Sequence, residues 1–208
     1  MSSTEHTAAA AHVHRDDEGA RLGMWLFLFT ELLLFGGLFL LYSVYRYLNQ
    51  DAFHLAAKEL NTLFGTFNTV ILLTSSLTMA LAIAAIQRGK KTLSIILQFA
   101  TLFMALGFLV NKYFEWSAKI HHGIFPGSEI LLEKSSGEIL FFGLYYSMTG
   151  LHGLHVIIGM ALIGYMTRLT MNGVINKDSF VKLESAGLYW HLVDLIWIFL
   201  FPLFYLIT

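Results

Sequence analysis

Five apolar runs constrain this chain more than anything else in it. They fall at residues 22–47, 62–86, 93–114, 139–166 and 184–206. Each is long enough to cross a hydrocarbon core of roughly 30 Å as a helix, with about 1.5 Å of rise per residue. A water-soluble domain has to cover its surface with polar groups. Here only 13% of residues are charged, 56% are hydrophobic, and mean hydropathy is +0.64. The expected fold class is therefore all-α, a polytopic bundle of five transmembrane helices. Residues 1–20 read as a polar flexible tail and 21–208 as one five-helix membrane domain. No apolar stretch precedes Leu22, so the start reads as a tail rather than a cleaved signal. His6, His12 and His14 within it read as solvent-exposed.

The composition also excludes chemistry. The sequence has no cysteine, which removes disulfides, thiolate metal sites and haem attachment through CxxCH. A net charge of −1 argues against nucleic acid as a partner.

The improbable residues are polar groups at mid-depth. The stretch GLHGLHVIIG, 150–159, puts His152 and His155 three apart, on one helical face, among Gly150, Gly153 and Gly159. Glu31 lies deep in the first run. His191 and Asp194 share a face in the last, with Glu184 two to three turns earlier. Such groups inside a membrane are functional or structural anchors by default. Glu31 is either neutral or paired with an imidazole. A Glu–His or Asp–His pair between spans would fasten the bundle. The second run, rich in Thr, Ser and Ala, suits close contact and hydrogen bonding across an interface. QRGKK then makes a tight antiparallel hairpin with the third. Residues 49–61 read as a polar connector, and 117–138 as the longest internal loop. Lys112, Tyr113, Glu115 and Trp116 read as an interfacial cluster, its lysine reaching outwards.

Sharper chemistry stays open on the residues alone. Three intramembrane histidines do not supply the four ligands of two stacked haems. One b haem between His191 and His152 or His155 is an alternative, giving a membrane redox subunit. Glu31, His152, His155 and His191 have ligand chemistry suited to zinc, copper or iron, but their spacing does not fix convergence. Transport finds less support, because no inverted repeat or matched pair of broken helices is visible.

Four segments bring a family into view: LFLFTELLLFGGLF around Glu31, NKYFEWSAKI around Glu115, GLYYSMTGLHGLHVIIGMALI around His152 and His155, and ESAGLYWHLVDLIWIFLFPLFYL around Glu184, His191 and Asp194. From about Gly19 to Leu206 the chain resembles subunit III of the haem-copper oxidases, the cytochrome c and quinol oxidase type, in its five-span form. Longer members have seven spans. The resemblance implies a non-catalytic accessory subunit that packs on subunit I, beside subunit II and a small subunit IV. It would stabilise subunit I and support proton uptake and oxygen access while oxygen is reduced to water. It implies no cofactor in this chain, with haem and copper in the partners and phospholipid as a contact. Glu31 falls on the family's intramembrane carboxylate, known for reacting with hydrophobic carbodiimides. Glu115, His152, His155, Glu184, His191 and Asp194 fall on its remaining polar positions, with structural or lipid-related roles. Related five-span proteins accompany nitric oxide reductases, an alternative setting. The basic residues divide eight to five in favour of a cytoplasmic N-terminus and external C-terminus, in a bacterial plasma membrane.

Overall fold

The computed structural model describes residues 17–207. Its elements in chain order are α1 (Asp17–Leu48), α2 (Gln50–Ala57), α3 (Thr62–Gln87), α4 (Lys91–His121), α5 (Glu129–Leu132), α6 (Ser136–Met171) and α7 (Val181–Tyr205). Five of these are long and apolar enough to cross a membrane: α1, α3, α4, α6 and α7. The fold is an all-α polytopic bundle.

The packing has a simple plan. Helices α3, α4, α6 and α7 form a closed ring, each packed on the next and α7 returning to α3. Helix α1 lies outside this ring, against α6 and α7. Burial reflects the difference: half of the apolar window of α7 is buried, but only 11% of that of α1. Aromatic rings fill the interior edge to face, among them Tyr42, Phe53, Phe141 and Phe204. The outer surface is apolar as well, with Leu33, Phe67, Phe103 and Tyr165 exposed. Such a surface suits lipid rather than water.

Local chemistry sets the ends of the helices. Asn61 caps α3 by accepting from the Leu63 N–H at 3.0 Å. Ser135 and Glu138 form a reciprocal capping box at the start of α6. Gly89, at φ +73°, lets the chain reverse between α3 and α4 in three residues.

Several expected boundaries move. Residues 17–20 are helical and belong to α1 rather than to the tail; the tail histidines lie outside the described residues. Part of the polar connector at 49–61 is helix α2, which buries Phe53, Ala56 and Ala57 and packs on α6. Helix α4 continues to His121, and α5 occupies part of the loop that follows. Polar residues at these ends hid helices that extend past the hydrocarbon, where charge is tolerated.

Candidate functional site

The polar side chains inside the bundle fall into sets at different depths. On the face holding the α1 N-terminus, Arg21 pairs with Glu184 at 2.9 Å, with both side chains substantially exposed. Glu184 therefore joins α1 to α7 at the rim and is not part of a set with His191 and Asp194. Deeper on that side, the Gln98 carbonyl accepts from Thr167 at 2.9 Å, and its amide donates to Ser94 at 3.1 Å, tying α4 to α6.

At mid-depth, Glu31 of α1 meets His155 of α6, with Oε2 to Nε2 at 2.9 Å. The other ring nitrogen fixes the proton count. Nδ1 lies 2.7 Å from the Leu151 carbonyl, which can only accept, so Nδ1 carries a hydrogen. A single proton then serves the Nε2–Oε2 contact, whichever atom holds it. The His155 carbonyl accepts from Tyr189 of α7 at 3.2 Å. Three helices thus converge on the motif histidine.

His152 is in a different setting. It is fully buried, with Phe108 edge-on at 5.6 Å and the Trp197 ring at 5.2 Å. Neither of its nitrogens has a hydrogen-bond partner. His191 Nδ1 is 2.7 Å from the Ser76 hydroxyl of α3. The same hydroxyl stands beside Asp194, whose buried oxygens make no hydrogen bond of normal geometry. Ser76 belongs to a ladder of α3 hydroxyls facing α7: Trp190 donates to Ser75 at 3.1 Å and Trp197 to Thr69 at 3.0 Å.

Toward the opposite face lies a closed network. The Lys112 ammonium donates to Glu115 Oε2 at 2.9 Å, Tyr145 at 3.1 Å and Tyr205 at 2.7 Å. Both tyrosines in turn donate to Glu115 Oε1, at 2.9 and 2.6 Å. All three ammonium hydrogens and both phenol hydrogens are used. This corrects the expectation of an outward-reaching lysine. Lys112 is buried, because Glu115 one turn away and two phenols from α6 and α7 offer it better partners than the interface does.

The motif glycines do two jobs. A Cβ on Gly159 would sit 2.8 Å from the Trp190 ring, so this glycine lets α7 close in. Gly150 and Gly153 instead line a groove of about 490 Å³ on the outer side of α4 and α6, beside Trp116.

This arrangement does not gather metal ligands. Among the described residues, no group of three or more His, Asp or Glu stands close enough to hold an ion. Each mid-depth imidazole is also committed separately: His155 to Glu31 and Leu151, His191 to Ser76, and His152 to its aromatic enclosure. A haem between His191 and His155 would require the Glu31 contact to be dismantled, and one between His191 and His152 would have to displace the Phe108 and Trp197 rings packed on His152.

A bundle that stores its polar groups in interhelical contacts has the character of a component, and comparison with known proteins names the assembly. Residues 2–208 match the family model described as Cytochrome c oxidase subunit III. The chain belongs to the cytochrome c oxidase subunit III family. It is 32% identical to a cytochrome c oxidase subunit 3 of Thermostichus vulcanus, over 96% of this chain and 93% of that one. It is 31% identical to a quinol oxidase subunit 3 of Bacillus spizizenii, over 99% and 97%. It is also 31% identical, over 90% of its length, to part of a haem-copper oxidase subunit I+III of Aeropyrum pernix, where the match spans 22% of the longer protein. The subunit III family is accessory and non-catalytic and packs with subunit I, so membership implies association with a haem-copper oxidase complex.

Proposed function

We propose that the chain is the accessory subunit III of a respiratory haem-copper oxidase, packed directly on subunit I. There it stabilises the catalytic subunit and supports proton uptake and oxygen access while oxygen is reduced to water. The observation that carries this reading is the subunit III match over nearly the whole chain. The Aeropyrum pernix relative adds support, because one chain there carries the names of subunits I and III together. The internal geometry agrees in kind, since its polar side chains bond to one another across helices. Subunit II and a small subunit IV complete the proposed neighbourhood. The described domain then sits in a bacterial plasma membrane with its N-terminus cytoplasmic, as the eight-to-five division of basic residues favours. Glu31, Glu115, His152, His155, Glu184, His191 and Asp194 act as structural or lipid-contact groups. The groove past Gly150 and Gly153 offers an acyl chain a place to lie.

Mild-detergent purification through a tag on this chain tests the reading. The expected result is a haem-containing polytopic partner whose haem stays with it when this chain is stripped away. Haem remaining on this chain alone would overturn the reading. A partner that reduces nitric oxide rather than oxygen would move the chain to the other setting.

A further inference from the structure

Below the exposed Arg21–Glu184 pair at the rim, the polar sets face inward, with one exception. His191 sits near the middle of α7, and Ser76 takes only its Nδ1. Its Nε2 has no hydrogen-bond partner among the described residues and is not among the enclosed polar atoms. The ring is half-buried, so Nε2 reaches the surface at mid-membrane.

The surroundings single out this strip of α7. Gly187, Trp190 and Trp197 turn toward α3, and Tyr189 and Phe199 toward α1. Between them, at helical spacing, run Leu188, His191, Leu195, Ile198 and Pro202. Leu195, Ile198 and Pro202 are exposed. Pro202 has no N–H to offer the Ile198 carbonyl four residues earlier on the same strip. The His191 Nε2 on this outward face therefore calls for a partner at membrane depth. Acyl chains carry no hydrogen-bonding groups, and lipid headgroups lie about 15 Å away across half the hydrocarbon core. Only another polypeptide brings polar side chains to that depth.

We propose that the α7 strip centred on His191 is the seat of a transmembrane helix from the neighbouring oxidase subunit, which presents a hydroxyl, carboxamide or carboxyl group to His191 Nε2. This rests on the subunit III reading above. Ser76 acts as the positioning residue: by holding Nδ1 it aims Nε2 outward. The hydrogen bond fixes the register of the two helices, and the flanking apolar side chains supply the contact.

The test uses the complete complex. The chain has no cysteine, so single cysteines report cleanly for it. A photoactivatable cross-linker is attached at Leu195→Cys and, as a control, at Phe103→Cys on the exposed side of α4. The first is expected to join one partner subunit and the second to form lipid adducts. His191→Leu is expected to lower retention of the chain in the complex about tenfold under detergent challenge, and His191→Gln to restore it, since the carboxamide again brings a hydrogen-bonding group to that position. If Leu195→Cys yields only lipid adducts, or joins a second copy, while haem-bearing subunits still co-purify, the docking proposal fails and the functional reading stands. If no haem-bearing subunit co-purifies, both fail.

Discussion

At the residue scale, the structure separates a closed polar set from an adjustable one. Lys112, Glu115, Tyr145 and Tyr205 leave no hydrogen unassigned, so the set behaves as a lock between α4, α6 and α7. Removing the cation strands Glu115. Lys112→Met is expected to destabilise the chain by about 3–5 kcal/mol. Adding Glu115→Gln should recover much of that loss, as read from melting in detergent. The Glu31–His155 contact differs because one proton serves it. Glu31→Gln can still donate to Nε2, so the melting point should move little while carbodiimide labelling at this position disappears by mass spectrometry. Glu31→Leu leaves Nε2 unpaired and should cost about 1–3 kcal/mol. The sequence marked Glu31 as either neutral or paired with an imidazole, because a carboxyl group is conspicuous in an apolar run, but it did not choose among His152, His155 and His191. It could not mark Lys112 in the same way. A lysine near the end of a run, among aromatic residues, resembles an interfacial anchor, and what turns it inward arrives from residues 33 and 93 positions away. Tyrosines inside the fourth and fifth runs were the only hint.

At the scale of elements, the glycines of the fourth run are not equivalent, although they look alike in sequence. Gly159→Ala drives a methyl group into the rigid Trp190 ring and should cost about 1–3 kcal/mol, whereas Gly153→Ala meets open space and should be close to neutral. Melting of the two variants checks the contrast. Helix α2 was unreadable for a related reason: eight residues with a few apolar positions do not stand out until α6 is there to receive Phe53. A surface latch holds that end. Lys134 bonds to Glu59 and lies 3.5 Å from Glu138. Partial burial pulls its pKa down, but the hydrogen bond and charge of Glu59, joined by Glu138, win and raise it above the ordinary 10.5. A raised lysine pKa means the stabilisation is complete below 10.5 and is lost as pH climbs through the higher folded value. Protection of α2 amides from hydrogen exchange, corrected for the intrinsic rate, should therefore hold through neutral pH and decline only in strong alkali. Lys134→Ala should remove that decline.

At the scale of the molecule, the number and order of the five spans could be read directly, because bilayer thickness sets a length that no other feature of the chain obscures. The ring of α3, α4, α6 and α7 could not. Which helices touch depends on where hydroxyls, glycines and rings meet across helices, as in Ser75 with Trp190 or Gly65 with Phe201. The ring also leaves α1 with the least support of the five. In detergent, without partner subunits, α1 amides should exchange well before those of α7, and assembly into the complex should slow α1 more than any other span if a neighbour covers it. Equal exchange in α1 and α7 would contradict the peripheral packing of α1.

Helix α7 touches α1, α3 and α6, yet it is the last of the described helices to be synthesised. Until it leaves the ribosome, the hydroxyls of Thr69 and Ser75 lack the indoles they will bind, and Lys112 has only part of its set. The earlier spans can insert one by one, but the ring cannot close around a missing member. Insertion and closure of the ring are thereby separated in time, and a chain interrupted anywhere before residue 181 leaves inserted helices in an open ring. Quality control in the membrane then has a signal to act on: the polar faces of α3 and α4 that meet α7, left uncovered until translation has run through the final span.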